Sequence, residues 1–408
     1  MMSYVQRLNK QSRIVCNLLL MNIHKAASRF AIFYIYYFLD RLILKFVIHP
    51  VIIGKPRALI VRLDNIGDFV LWRNSAQLLI DDLTEKGYLV TLAANSVWAD
   101  LAKESLSIDQ IIAIDKTQFV KSPVYRFTTL LSLRYEGFEL AINPVFSREL
   151  VFGDPLVYAS KAARKISFAG DRSNLTKLHK YLSDRIYTWL VDVPLKTKHE
   201  LEKNKLFLVA LGINQAAFLR PKLSISLSAN LKEILPVNYA VLAIGASWVG
   251  RRWPVDRFEK IASWLADNYG LKIVVIGGAE DISDGDFVAG VNGMNLCGKT
   301  NLSELPVILN RATIAISNET GAIHFALASA TNAICILGGG HFGRFLPYPK
   351  IEDSKPVPIS IFMDMDCFGC GWHCCHERLP DRPVLCIDNI TIEMVQKEVI
   401  NIIGSPQV

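Results

Sequence analysis

From Arg57 onward, short apolar runs alternate with longer stretches in which apolar side chains recur every three or four positions. Ala58 to Arg62, Leu89 to Leu92, Gln110 to Ile114 and Glu139 to Ile142 predict buried strands, with helices near 70–84, 97–105 and 123–135. A second set follows at Tyr239 to Ile244, Lys272 to Ile276, Ala312 to Ile316 and Asn332 to Ile336. Strand–helix alternation of this kind predicts α/β architecture with doubly wound parallel sheets, and two such sets in tandem predict a cleft that their strand ends line. The stretch 195–227 starts helical and loses its pattern at Arg220-Pro221-Lys222, which places the linker there. The amphipathic segment Ile390 to Ile403 is expected to pack across the outside of the domains.

Ahead of Arg57 the pattern differs. An apolar and aromatic run from Phe30 to Leu39 is followed by Leu42 to Ile48, and each is short of the roughly 20 residues that span a bilayer. On a helix, Tyr34, Tyr37, Arg41 and Lys45 share one narrow polar stripe, with Pro50 as a stop. Two uses fit that helix: it lies in the interface of an anionic membrane, or it packs on the protein as an extra core helix. No small-residue cleavage site follows the run, which argues against a signal peptide.

Composition bounds the rest. A chain of 408 residues with 51% hydrophobic content fits two α/β domains plus an extension. The net charge is +7, but residues 1–57 hold nine Lys/Arg against one acid, Asp40, giving +8 and leaving −1 for the remainder. The basic balance therefore belongs to the N-terminal arm and gives no support to a nucleic-acid groove. In the first domain Lys161, Arg164, Lys165, Arg172, Lys177, Lys180 and Arg185 either meet an acidic glycolipid or are scattered surface charge.

Four strand ends carry candidate chemistry. At Ser317-Asn318-Glu319-Thr320-Gly321-Ala322-Ile323-His324 an apolar strand runs through a small polar turn into an Ala-rich helix, which aims free N–H groups and the positive end of a dipole at an anion. Asn318 or Thr320 can cap that helix, Gly321 lets a phosphate approach, and His324 sits one turn in; an ordinary capped helix with a buried histidine has the same pattern. At Arg62-Leu63-Asp64-Asn65-Ile66-Gly67-Asp68, Gly67 permits a tight turn, and Asp68 is either a general base or a helix N-terminal acid. At Gly245-Ala246-Ser247 to Arg251-Arg252-Trp253-Pro254, Ser247 and the arginines can hold a diphosphate, and Pro254 opens the next helix. At Gly277-Gly278-Ala279-Glu280-Asp281 an acid, Glu280, can accept from ribose or base hydroxyls.

Together RLDNIGDFVL at 62–71, the GAS…RRWP loop at 245–254 and SNETGAIHFALA at 317–328 resemble the glycosyltransferase family that contains the lipopolysaccharide heptosyltransferases, over roughly Arg57 to Ile403. The resemblance implies a GT-B fold: residues 1–56 as a basic, aromatic helical extension, 57–225 as a Rossmann-like acceptor domain, and 226–408 as a Rossmann-like nucleotide-sugar domain. It implies Asp68 as catalytic base, Arg251 as diphosphate ligand, and Thr320, Gly321 and His324 as the donor-phosphate turn. Glu319 stands where the family usually has aspartate, which leaves donor sugar and base open. The expected reaction is inverting and metal-independent, from a nucleotide sugar such as ADP-heptose to a glycolipid or oligosaccharide acceptor, at the cytoplasmic face of the membrane.

Cys367, Cys370, Cys374, Cys375 and Cys386, with His373 and His376 interleaved, have the ligand types of a structural zinc site, for which Cys367, Cys370, Cys374 and Cys386 are the expected ligands. Disulfides, free thiols and a redox pair stay open at this point, although a nucleotide-sugar enzyme belongs in a reducing compartment. Gly338-Gly339-Gly340-His341-Phe342-Gly343 matches a dinucleotide fingerprint, but the prolines at 347 and 349 prevent the helix that the fingerprint needs. It reads better as a loop over the donor. A nucleotide-cofactor oxidoreductase and a non-catalytic, membrane-attached binding protein are the rival functions.

Overall fold

The computed structural model describes residues 34–42, 44–45, 54–194, 196–213, 220–223, 233–351 and 353–406. Expectations for the arm before residue 34, and for 214–219 and 224–227 near the linker, lie outside the described residues.

The strands β1 (Arg57–Arg62), β2 (Leu89–Asn95), β3 (Gln110–Ile114), β4 (Leu140–Asn143), β5 (Arg164–Phe168) and β6 (Trp189–Val191) form one sheet in the order β3-β2-β1-β4-β5-β6. A second sheet joins β7 (Tyr239–Ala243), β8 (Lys272–Ile276), β9 (Met294–Asn295), β10 (Ile314–Asn318), β11 (Ala333–Ile336) and β12 (Ile359–Ile361) in the order β12-β11-β10-β7-β8-β9. Counted from β7, that is the same permutation as in the first sheet. Both are Rossmann-type, α/β and doubly wound, as expected. In such sheets the order reverses beside the first strand, and ligands bind at the carboxyl ends there. In the second sheet the reversal lies between β7 and β10, a parallel pair with Ile316 opposite Leu242 and Ser317 opposite Ala243.

Strand boundaries depart from the apolar pattern where register decides. β10 starts at Ile314, not Ala312, and carries on through the polar Ser317 and Asn318, because Ser317 pairs with Ala243 and Cys335, and Asn318 with Ile336. Tertiary pairing thereby draws two polar residues into a strand that hydrophobicity alone ends early. The helical stretch expected from 195 is the helix Glu200–Ala210, capped by His199, whose ring accepts from the Leu201 N–H at 3.2 Å.

The described residues fall into two units, one drawn from Met1–Leu63 and Ile114–Leu190, the other from Asp64–Ala113 and Val191–Val408. In the first, helical residues 34–42 (α1) sit on the unit by their polar side. Tyr34, Tyr37 and Arg41 are half-buried and Asp40 is buried, so the polar stripe is turned toward the unit, with Lys45 alone of those positions exposed. In the second, the apolar faces of β7, β8, β10 and β11 meet the helix Val255–Tyr269, and the C-terminal helix Ile392–Ile403 adds Val395 and Val399 to the same core. That helix is therefore a core element of this unit and more than an outer brace.

Candidate functional site

The site is built within the second unit, from the ends of β7 and β10 upward. Asn318 closes β10 and is fully buried; its side-chain amide donates to the Ile244 carbonyl at 2.6 Å and accepts from the Trp253 N–H at 2.9 Å. Both halves of that amide are thus engaged in tying the strand end to the Gly245–Trp253 loop. Asn318 positions the site and does not cap the following helix.

The loop is held from the other side by Asp281. Its carboxylate accepts from the Gly278 N–H at 2.8 Å and pairs with Arg252 at 2.7 Å. Gly245 and Gly277 are glycine for a packing reason, since a Cβ on either would run into the Asp281 carboxylate. Glu280, the acid expected to serve the donor, is exposed, whereas its neighbour Asp281 is buried and braces the arginine loop. Sequence position alone did not separate the two.

Arg251 leaves a short 3-10 turn, Val249–Arg251, and reaches the β10 turn. Its Nη2 donates to the Glu319 carbonyl at 2.5 Å and lies 3.5 Å from the Glu319 carboxylate; Nη1 donates to the Ser247 hydroxyl at 3.3 Å. The guanidinium carbon stands 4.9 Å from the centre of the Trp372 ring, a cation–π contact that fixes the plane of the fork. Trp372 in turn donates from its indole N–H to His341 Nδ1 at 3.2 Å. Arg251 Nε and Glu319 Oε2 are both buried without a hydrogen-bond partner, a cost of roughly 1–3 kcal/mol for each such atom. Burial pushes the Glu319 carboxyl up to about 7, against the opposing pull of Arg251 and the Gly338 N–H.

Thr320 takes the N-cap position of the helix Gly321–Ala328 in extended geometry, with no side-chain cap bond. The first N–H groups of that helix therefore keep their donors for a guest. Its first turn meets the first turn of a second helix, α2 (Ile66–Glu85), which carries Asp68 in that turn. A Cβ on Gly67 would fall 2.8 Å from His324 Cδ2 and 3.6 Å from Gly321 Cα, and one on Gly321 would fall 2.9 Å from the Ile66 side chain. The two glycines allow this approach. Both turns contribute positive helix ends to one place.

His324 shares a 2.6 Å hydrogen bond through Nδ1 with the Tyr348 hydroxyl. The alternative acceptor for that hydroxyl, the Ile323 carbonyl, is 3.5 Å away, so the shorter contact takes the phenolic proton and the ring carries its own on Nε2. Burial, then the neighbouring His199 and Arg251, bring His324 down to about 3, and burial brings His199 and His341 each down to about 4. Near neutral pH these histidines are uncharged. Positive charge at the site comes from Arg251 and from arginines already paired, Arg252 to Asp281 and Arg344 to Glu200 at 2.9 Å.

The glycine run at 338–340 is explained by aromatic rings. Cβ atoms on Gly338 and Gly340 would strike Trp372, and one on Gly339 would strike Phe368. The cysteine segment lies across this run, with the Gly369 N–H donating to the Gly339 carbonyl at 2.8 Å and the Gly371 N–H to the Gly340 carbonyl at 2.9 Å. Turns and bends, not a helix, follow β11 through residue 347, as the prolines require. Among the described residues every cysteine is a free thiol. Burial raises Cys386 and Cys374; after it, Cys386 feels Cys367 and Cys370, while Cys374 feels Cys370 and Cys386. Cys367, Cys375 and His376 have ligand atoms within 4.8 Å of one another, a grouping that shares Cys367 with the four expected ligands and brings in two other donors.

Of the residues expected from sequence, Arg251 joins Ser247 and Glu319 directly, Asn318 ties the same strand end to the arginine loop, and Thr320, Gly321, His324 and the Gly67-Asp68 turn meet beside them. Trp372, Tyr348 and Asp281 were missed. A signal for Trp372 existed, because it is the aromatic residue inside the cysteine segment; Tyr348 lay in a stretch read only as loop.

Comparison with known proteins adds to this geometry. The family model described as glycosyltransferase family 9 (heptosyltransferase) matches residues 133–354. The lipooligosaccharide heptosyltransferase 2 of Campylobacter jejuni is 22% identical over 294 residues, 70% of this chain and 82% of that protein. A glycosyl transferase family 9 structure from Veillonella parvula matches with a TM-score of 0.66 at 17% identity, covering 87% of this chain and 99% of that one. The E. coli heptosyltransferase WaaC with ADP-2-deoxy-2-fluoro heptose matches with a TM-score of 0.59 at 16% identity, covering 85% and 99%. At such identities the two structures speak for the fold, which is GT-B.

Proposed function

Because the chain belongs to glycosyltransferase family 9, the heptosyltransferases, we propose that it transfers a heptose from ADP-heptose to a lipopolysaccharide core or related glycolipid, in one inverting step that uses no catalytic metal. The observation that carries this reading is the meeting of the Gly67 and Gly321 turns, beside an arginine with an unpartnered Nε. Two helix ends and a guanidinium suit the charge that develops on a departing diphosphate.

In the proposed step the Asp68 carboxylate takes the proton of the acceptor hydroxyl as its oxygen bonds to the anomeric carbon. The bond from that carbon to the β-phosphate oxygen breaks, and the electron pair leaves with ADP. Arg251, the N–H groups of the Thr320-Gly321 turn and the helix dipole hold the product charge. Ser247 adds a hydroxyl and His324 an uncharged ring N–H. Glu319, drawn toward neutrality by burial, adds less negative charge beside the phosphates than an exposed carboxylate would, and Glu280 at the end of β8 offers an acceptor to ribose or base. The ADP-heptose assignment takes its support from the ligand of the E. coli relative, and the acceptor from the name of the Campylobacter one.

The reaction places the protein on the cytoplasmic side, peripheral to the membrane that carries its acceptor. Among the described residues no helix is long and apolar enough to cross a membrane. The test is incubation with ADP-heptose and a truncated core glycolipid in EDTA, followed by mass spectrometry. A single heptose increment supports the reading. Transfer only from another nucleotide sugar, or only with added divalent cation, overturns the corresponding part of it.

A further inference from the structure

The two sides of α1 are reversed relative to an ordinary surface helix. Its polar residues anchor it. The Tyr36 hydroxyl donates to the Val120 carbonyl at 2.8 Å, and Arg126 donates to both Asp40 oxygens at 2.6 to 3.2 Å. Asp40 and Arg126 are 2% and 1% exposed, and Tyr34 packs on the ring of His179 at 5.5 Å. Arg41 lies 3.4 Å from the centre of the Tyr37 ring and 4.6 Å from that of Tyr158.

The outward side is apolar. Ile35, Phe38, Leu39 and Leu42 follow helical spacing and are 54%, 65%, 43% and 56% exposed. Lys45, the last member of the polar stripe, is exposed as well. The helix Lys177–Asp184, which meets Tyr34 through His179, also turns Leu178 and Tyr181 outward. Large apolar side chains grouped on one exposed helix face mark an interaction surface.

Charge selects the occupant. Residues 1–57 carry nine basic residues and one acid, and that acid, Asp40, is buried against Arg126 and offers no negative charge to a partner. Lys177 and Arg185, on and just past the helix Lys177–Asp184, are exposed as well. Two copies paired through this face would bring two +8 segments together. An anionic lipid surface is their complement.

We propose that the outward face of α1, with Leu178 and Tyr181, docks on an anionic bilayer, its apolar stripe entering the headgroup boundary while the surrounding lysines and arginines meet lipid phosphates. This rests on the membrane placement proposed above and names the surface that achieves it; it does not depend on the transfer chemistry.

The test is co-sedimentation of the full chain with phosphatidylcholine vesicles that contain or lack phosphatidylglycerol. Binding should favour the anionic vesicles by roughly tenfold or more and fall with salt. Phe38→Glu with Leu42→Glu should reduce it by a similar factor, with the melting curve and ADP binding unchanged. Lys45→Glu with Lys177→Glu, which leaves the apolar stripe intact, should weaken binding to anionic vesicles only. Equal binding to both vesicle types overturns the proposal, as does undiminished binding by the double Glu variant. Light scattering that shows a dimer broken by Phe38→Glu would assign the face to a second copy instead. Intact ADP binding without vesicle binding defeats the docking proposal alone; lost ADP binding counts against the transfer reading.

Discussion

Replacing Arg251 by alanine removes the guanidinium that reaches the β10 turn, and the surroundings set how much should be lost. The side chain is 19% exposed, so its contact with a diphosphate is made in a partly desolvated place. A charge-assisted hydrogen bond there contributes roughly 1.5–3 kcal/mol net, which is about tenfold to a hundredfold in ADP affinity. The substitution should not unfold the protein through a stranded anion. Glu319 titrates at about 7 even with Arg251 beside it, and it takes up a proton once that cation is gone. Arg251→Lys restores charge without the fork and without the flat contact on Trp372, so its affinity should fall between wild type and Arg251→Ala. The assay is calorimetric titration with ADP in EDTA, alongside a thermal melt. An Arg251→Ala affinity within about a factor of two of wild type, in a folded protein, would refute the placement of the diphosphate.

Trp372→Leu should weaken ADP binding less than Arg251→Ala, and the two effects should fail to add in the double variant, because Trp372 acts by orienting Arg251; additive losses would show an independent contact. Glu319→Gln tests a pH dependence whose sign follows from a carboxyl raised from 4.5 to about 7. The native state holds more protons than the unfolded one between those values, so this group costs stability increasingly as pH rises from 4.5 to about 7, reaching an order of ~3 kcal/mol. His324 acts oppositely: lowered from 6.5 to about 3, it removes stability as pH falls through that range. The difference between wild type and Glu319→Gln in denaturant melts at pH 5 and 8 isolates the carboxyl, and a pH-independent difference would contradict the burial argument. For the cysteine segment we propose zinc held by Cys367, Cys370, Cys374 and Cys386. Elemental analysis should show zinc retained in Cys375→Ser and lost in Cys386→Ser, while the reverse would assign the ligands to the cluster of Cys367, Cys375 and His376.

Both Rossmann-type sheets were legible because short apolar runs covered on two faces leave a strong signal, as in β7, every residue of which is buried. The glycine positions were legible as turns but not in their purpose. Gly245 makes room for Asp281, Gly67 for His324 and Gly339 for Phe368, and each partner is remote in sequence. The same holds for Asp281 against Glu280: adjacent acids differ only in which one the fold turns toward Arg252. For α1 the helical period was legible, but which side faces the protein was not. Hydrophobicity predicts that the apolar side turns inward, but the buried Asp40–Arg126 pair holds the polar side against the unit.

The central claim is that Asp68 removes the acceptor proton while Arg251 and the Thr320-Gly321 turn hold the diphosphate. It is tested most directly by Asp68→Asn, an isosteric change that removes the base and leaves the donor site untouched. Single-turnover transfer from ADP-heptose to a truncated core glycolipid should fall by roughly 10²–10⁴-fold, with ADP affinity within about a factor of three of wild type. Transfer at an undiminished rate by Asp68→Asn would contradict the account.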